Sequence, residues 1–93
     1  LVALAAFLRA APATRVALVG HTDSTGGLEP NSALSRARAE AVLTRLIEQH
    51  GVAPAQVEAH GIGYLAPIAP NTSPEGRERN RRVEVVLLSA GEP

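Results

Sequence analysis

An apolar strand that runs into a glycine-rich polar loop and then into a long amphipathic helix constrains this chain more than any other feature. Val16, Leu18 and Val19 carry the aliphatic bulk of a buried strand over Arg15 to Gly20. The segment from His21 to Pro30 is rich in turn-forming residues and predicts a loop. This loop follows the carboxyl end of the strand, which is where ligands bind in open α/β sheets.

The helix after the loop has one apolar face and one polar face. Asn31 is a suitable N-cap, so the helix is expected to begin there. The residues expected to face the core are Ser35, Ala39, Val42, Leu43 and Leu46. The residues expected to face solvent are Arg36, Glu40, Thr44 and Glu48. A helix with this pattern is typical of the outer layer of an α/β fold.

Shorter elements flank this unit. Apolar residues at helical spacing predict a helix within Leu1 to Ala11. Strands are expected at Val57 to His60 and at Arg82 to Ser89, with a short helix capped by Ser73 between them. The order α, β, α, β, short α, β predicts one α+β domain over residues 1–93, a two-layer α/β sandwich with the helices on one face of the sheet.

Composition argues against several classes of function. Nine basic and nine acidic residues balance to a formal net charge of zero, so no long-range field attracts nucleic acid or an acidic membrane. Cysteine is absent, which excludes disulfides and thiolate metal sites. No window reaches the ~20 apolar residues of a transmembrane helix, so any membrane association is expected through a parent protein.

Asp23 and Arg38 are the strongest candidates for ligand chemistry. Asp23 is the only aspartate of the chain and lies in the loop after the first strand. It either forms an Asx turn that shapes the loop or binds a ligand. Arg38 lies at the edge of the apolar helix face, where it either covers the core with its stem or turns its guanidinium toward Asp23 and a ligand carboxylate.

Two motifs in this order resemble the OmpA-like domain, which is also found in Pal and MotB-type proteins. The first runs from Gly20-His21-Thr22-Asp23 through Asn31 to Arg38-Ala39, and the second is Asn80-Arg81-Arg82-Val83-Glu84. The resemblance extends from about Arg9 to Leu88. It implies a peptidoglycan-binding module whose ligand is diaminopimelate, the cross-linking amino acid of the stem peptide.

The resemblance also implies roles for individual residues. The residue that matches Asp23 accepts a hydrogen bond from the side-chain amine of diaminopimelate, and the residue that matches Arg38 holds its carboxylate. Asn31 matches a position near the pocket, a role compatible with capping the helix, and the residue that matches Arg81 lines the pocket. From the strand pattern, Arg81 points toward the helical layer and needs a carboxylate, which Asp23 or the ligand could supply.

Two threonines and a second arginine complete the candidate site. Thr22 and Thr25 flank Asp23 and either donate hydroxyls to the ligand or close the turn. Arg82 is expected to lie on the opposite sheet face from Arg81, in solvent, paired with a neighbouring acid.

The expected function is non-covalent, non-enzymatic tethering of an outer-membrane or envelope protein to the cell wall in the periplasm. No cofactor is expected, and the spacing of the histidines fits no metal motif. Two rivals remain open at this point. One is a small cell-wall hydrolase with His21 or His60 as its base, and the other is a protein-interaction module that uses Val86 and Leu88.

The family's βαβαββ fold, with sheet order 1-4-2-3, begins with a strand that this sequence lacks. The last strand, whose stretch from Val83 to Leu88 is strongly apolar, would then leave one edge unpaired. Such an edge is expected to pair with upstream residues of the protein or with a second copy of the chain in a strand-mediated homodimer.

Overall fold

The structure, a computed structural model, describes residues 1–90. Its elements are helix α1 (Val2–Ala10), strand β1 (Arg15–His21), helix α2 (Leu28–Glu48), a 3₁₀ turn (Pro54–Gln56), strand β2 (Val57–Gly61), helix α3 (Pro74–Asn80) and strand β3 (Arg82–Ser89). The element order and the bounds of β3 are those predicted, and β1 and β2 each extend one residue further than predicted. The mixed α+β class is confirmed.

The three strands form one mixed sheet in the order β2-β1-β3. Strand β1 pairs in parallel with β2, with Val16 opposite Val57, and antiparallel with β3, with Leu18 opposite Val85. Strands β1, β2 and β3 correspond to the second, third and fourth strands of the family's fold. Their order, β3-β1-β2, is the 4-2-3 part of the expected order 1-4-2-3, which is therefore confirmed for these strands. Among residues 1–90, β3 pairs with β1 alone and forms one edge of the sheet.

The core lies between one face of the sheet and helices α1 and α2. Its buried members are Ala5, Leu8, Val16, Leu18, Ala39, Leu46, Val52 and Val57. Val42 and Leu43 of α2 pack against this cluster, as the helical pattern predicted. The predicted solvent face of α2 is exposed, and its Arg36 and Glu40 form an ion pair of 3.7 Å. The buried cluster between the two layers thus consists of Ala, Val and Leu side chains.

Two adjacent glycines bring α2 close to the carboxyl ends of β1 and β2. Gly20 and Gly61 are register partners on the helix-facing side of the sheet. A Cβ atom built on Gly20 would lie 2.0 Å from the backbone oxygen of Ser35, and one on Gly61 would lie 2.2 Å from the backbone nitrogen of Arg36. Real Cβ atoms do not approach backbone this closely, so both positions require glycine. The close approach fixes the N-terminal half of α2 over the loop that contains Asp23.

Gly61→Ala is expected to lower the free energy of unfolding by about 3 kcal/mol, the upper end of the usual range for overpacking, because the atoms in the way are backbone. Chemical denaturation of the purified chain measures the change. Gly27→Ala is the control without a steric clash, since its Cβ would meet nothing closer than 3.5 Å, and it should cost no more than the ~1 kcal/mol of a poorer N-cap. Equal stability of the Gly61→Ala variant and the wild type would show that α2 does not pack as described.

The start of α2 differs from the prediction. The helix begins at Leu28 with Gly27 as its N-cap, so the cap lies four residues before the predicted cap, Asn31. Pro30 is therefore inside the first turn, where the amide that proline lacks would have no partner in the helix. The prediction that Asn31 caps the helix is wrong. Its side chain is buried within the first turn and makes a tertiary contact instead.

The other face of the sheet carries no helix. Alternation along β1 places Ala17, Val19 and His21 on this face, opposite the side that meets α2. Their partners in β3 are Val86, Glu84 and Arg82. The face therefore combines apolar and ionisable side chains, and its Val86 and Leu88 are 40% and 44% exposed.

Candidate functional site

The candidate site lies where β1 and β2 end. Backbone hydrogen bonds join the two chain segments there: Thr22 N donates to Gly63 O at 2.8 Å, and Ile62 N donates to Gly20 O at 3.2 Å. Ser35 of α2 is fully buried, and its Oγ accepts from Gly63 N at 3.0 Å. The loop after β1 is thus hydrogen-bonded to the segment that follows β2, and that segment is hydrogen-bonded to helix α2.

Asp23 is held in an Asx turn. Its Oδ1 accepts a hydrogen bond from Thr25 N at 2.8 Å, while Thr22 Oγ1 donates to the backbone oxygen of Asp23 at 2.9 Å. The side chain of Asp23 is 11% exposed. The hydrogen bond from Thr25 N, and after it that from Arg81, hold the pKa of this carboxyl below its usual value although burial opposes them. Asp23 is therefore an anion near neutral pH, as a partner for an amine must be.

The two threonines have different environments. Thr22 is buried, and its hydroxyl closes the turn, which is one of the two roles considered for it. Thr25 is exposed and contributes its backbone amide to Asp23 and its backbone oxygen to Asn31, whose Nδ2 donates to it at 2.8 Å. Asn31 thereby attaches the loop to the first turn of α2, and its place near a ligand pocket stays a prediction.

Arg81 is the counterion of Asp23. Its Nη1 lies 2.5 Å from Asp23 Oδ2, and its Nη2 bonds to Glu78 of α3. The sequence predicted that Arg81 would find a carboxylate, with Asp23 as one of two candidates, and the structure confirms this. Its position is the C-cap of α3, one residue before β3. The contact spans 58 positions of sequence and brings the two family motifs together.

Arg38 is exposed, and within residues 1–90 no hydrogen bond or ion pair joins its side chain to Asp23 or to any other residue. It follows Asn31 by seven residues on α2, which is 20° short of two full turns and a rise of about 10.5 Å. Arg38 therefore lies on the same side of the helix as Asn31. Helical side chains lean toward the N-terminus, so the guanidinium can extend toward the site with room for a ligand between it and Asp23.

Asn80 supports the site through the loop between β2 and α3, a role that the sequence did not predict. It is fully buried at the end of α3, and its Oδ1 accepts from Ile68 N at 2.8 Å and from Ala69 N at 3.1 Å. Its Nδ2 donates to Ala69 O at 2.9 Å and to Asn71 Oδ1 at 2.8 Å. This amide organises the loop between β2 and α3, and the next residue along the chain is Arg81.

Arg82 also supports this loop. It pairs with Glu84, as predicted, and donates to Ala66 O at 3.0 Å and to Asn80 O at 3.2 Å. Its side chain is only 16% exposed, so the expectation that it is solvated is wrong. The burial follows from these backbone contacts, which hold the guanidinium against the loop.

The two histidines of the hydrolase hypothesis, His21 and His60, lie on the open sheet face. His21 is 4% exposed, and its Nε2 is 3.3 Å from Glu84 Oε1, yet neither ring nitrogen makes a hydrogen bond in the described part of the chain. Burial, and then the charge of Arg82, lower the pKa of His21, while Glu84 raises it less. His60 is exposed and bonds to Glu58 at 2.5 Å.

His21 is expected to lower the free energy of unfolding in mild acid. Because its folded-state pKa lies below 6.5, the unfolded chain binds a proton that the folded chain does not as the pH falls below that value. The free energy of unfolding should therefore fall from about pH 6.5 downward, by at most ~1.4 kcal/mol per pH unit for one proton, and level off below the folded pKa.

Denaturation of the wild type and of His21→Gln between pH 5 and pH 8 tests this, with His60→Gln at the exposed position as the control. The slope should become shallower only in His21→Gln. An unchanged slope in that variant would contradict the buried, neutral state of His21.

Residues 1–90 contain no group of three metal-ligating side chains placed to bind one ion. Within the same residues, none of the helices has the length and apolar character needed to cross a bilayer.

Comparison with known proteins places this arrangement in a family. The OmpA family model matches residues 1–81. The probable lipoprotein YiaD of Escherichia coli is 44% identical over 94% of this chain, and the peptidoglycan-binding protein ArfA of Mycobacterium tuberculosis is 45% identical over 86%. The chain spans 39% and 24% of the lengths of these two relatives.

A solved structure shows the same fold. The peptidoglycan-associated lipoprotein from Burkholderia pseudomallei superposes with a TM-score of 0.86 at 35% identity, over 91% of this chain and 71% of that protein. The predicted resemblance is therefore confirmed at the level of both sequence and fold.

Proposed function

Because the chain belongs to the OmpA family, we propose that it binds peptidoglycan non-covalently and anchors an envelope protein to the cell wall. One observation carries this proposal: the loop with Asp23, an ionised carboxylate at the carboxyl end of β1, is joined through Thr25 to Asn31, on the side of α2 that also carries Arg38. Two similar proteins support it by name, since ArfA is described as peptidoglycan-binding and the Burkholderia protein as a peptidoglycan-associated lipoprotein.

The ligand group in this proposal is the zwitterionic end of diaminopimelate. Its ammonium group binds Asp23, and its carboxylate binds Arg38 through two parallel hydrogen bonds. Thr22, Thr25 and Asn31 hold the loop in the geometry that presents Asp23, and Arg81 lines the site. The site thus offers opposite charges, from two different elements, to the two charged groups of one ligand.

Binding without turnover is the proposed activity. The rival hydrolase hypothesis needs His21 or His60 as its base. Each of these histidines lies next to a glutamate on the open sheet face, whereas Asp23 is paired with Arg81, so neither histidine is paired with Asp23 in the described residues. Modest affinity at each site is sufficient for an anchor, because the wall presents many copies of the ligand.

Cosedimentation with purified peptidoglycan sacculi tests the proposal. The chain should pellet with the sacculi, and free stem peptide should release it. The supernatant should contain no soluble wall fragments beyond those of a blank. Failure to pellet at micromolar protein would contradict the binding function, and release of wall fragments would favour the hydrolase instead.

The periplasmic side of the envelope is the proposed location, because the ligand is there.

We further propose that the edge of β3 pairs with another strand, in a homodimer when residues 1–93 are alone in solution. Val85 and Leu87 on its helix-facing side are 50% and 57% exposed, which is unusual for an apolar strand. Light scattering after size exclusion should give the mass of a dimer, and the mass of a monomer at all concentrations would contradict the pairing.

A further inference from the structure

Arg81 is shared between two carboxylates that come from different elements. Nη1 bonds to Asp23 Oδ2 in the loop after β1, and Nη2 bonds to Glu78 Oε2 one turn back in α3. The side chain of Asp23 is 11% exposed and that of Glu78 is 76% exposed. The cation therefore has one nearly buried partner, which belongs to the proposed binding site, and one partner in solvent.

A ligand ammonium that binds Asp23 meets a charge problem. Asp23 is already neutralised by Arg81, so with these two groups alone a second cation would face a second positive charge across one carboxylate. Glu78 changes this balance. Asp23, Glu78, Arg81 and the ligand ammonium together carry two negative and two positive charges, so each cation has a carboxylate of its own.

We infer that Glu78 is a positioning residue for ligand binding: it retains Arg81 when a ligand ammonium takes Asp23, and so favours ligands with a free amine. Arg81 keeps its bond to Glu78 and gives up part of its contact with Asp23, while the fixed Thr25 amide continues to hold Oδ1. This inference rests on the proposed function, because it concerns the same Asp23 site.

Calorimetry with a stem tripeptide that ends in diaminopimelate tests the inference. Its alanine is N-acetylated, so the side-chain amine is the only free amine. Glu78→Gln should weaken binding roughly twofold to fivefold at low ionic strength, the effect of one exposed ion pair, and less at high salt. Glu75→Gln, in the first turn of the same helix, is the control and should bind as the wild type does.

A second ligand separates positioning from a general loss of structure. When the side-chain amine is also acetylated, no ligand cation competes with Arg81, so Glu78→Gln should not weaken the remaining binding. In an Arg81→Gln background, Glu78→Gln should have no further effect on the free-amine ligand, because Glu78 acts through Arg81.

The outcomes distinguish this inference from the proposed function. Equal affinity of the wild type and Glu78→Gln for the free-amine peptide overturns the inference alone. The same loss for both peptides, or a full loss in the Arg81→Gln background, also overturns it, since Glu78 would then act on the fold or directly on the ligand. A wild-type chain that binds neither peptide overturns the proposed function and the inference together.

Discussion

Asp23→Asn and Arg38→Ala should each weaken binding of a diaminopimelate stem peptide by about 1.5–3 kcal/mol, roughly tenfold to 150-fold, the range for hydrogen bonds to charged groups. Asparagine at position 23 keeps an oxygen that can accept from Thr25 N, so the turn survives while the charge is lost. Arg38 is exposed and unpaired in the described residues, so its removal should leave the fold intact.

The matched control for Arg38 is Arg36→Ala on the same helix. Arg36 is exposed on the solvent face and pairs with Glu40, so its substitution should not change the affinity for the ligand. Calorimetry of the three variants gives the affinities, and circular dichroism verifies the fold. Wild-type affinity in both Asp23→Asn and Arg38→Ala would refute the two-charge site.

Asn80→Ala should lower the free energy of unfolding by about 2–4 kcal/mol. The substitution removes the partner of two amides and one carbonyl in the loop from Ile68 to Ala69, and each buried group without a partner costs roughly 1–3 kcal/mol. The partial exposure of the loop reduces the total, since water can reach some of these groups. Because Arg81 follows Asn80 in the chain, ligand affinity should fall as well.

Asn80→Asp provides a graded comparison. It keeps an acceptor for Ile68 N and Ala69 N but loses both donations from Nδ2, so its stability should lie between those of the wild type and Asn80→Ala. Urea denaturation measures all three proteins. Stability of Asn80→Ala within 0.5 kcal/mol of the wild type, the usual range for surface substitutions, would show that the loop does not depend on this amide.

Local sequence patterns predicted the elements well, because each one carries its own periodicity and end signals. Strand β3 has the predicted bounds, and Ser73 caps α3 by accepting from Gly76 N at 3.0 Å. The start of α2 was predicted four residues late, because Pro30 and Asn31 both resemble the residues that precede a helix. Only the tertiary bond from Asn31 to Thr25 O shows that the amide has another role.

Long-range polar contacts were less predictable. The pairing of Arg81 with Asp23 could be anticipated, because both residues carry charge and occupy motif positions. Asn80 and Gln56 could not, since a buried amide has no local signature. Gln56 is 3% exposed, and its Nε2 donates to the backbone oxygens of three residues more than forty positions away.

Discrimination between stem peptides tests the central claim, recognition of an amine and a carboxylate by Asp23 and Arg38, most directly. Calorimetry should compare three peptides that differ only at the third residue, which is diaminopimelate, its amide or lysine. Lysine lacks the second carboxylate and the amide neutralises it, so Arg38 loses its partner in both. We expect each to bind at least tenfold more weakly than the diaminopimelate peptide, the effect of one charge-assisted hydrogen bond. Equal affinity for all three peptides would contradict the claim.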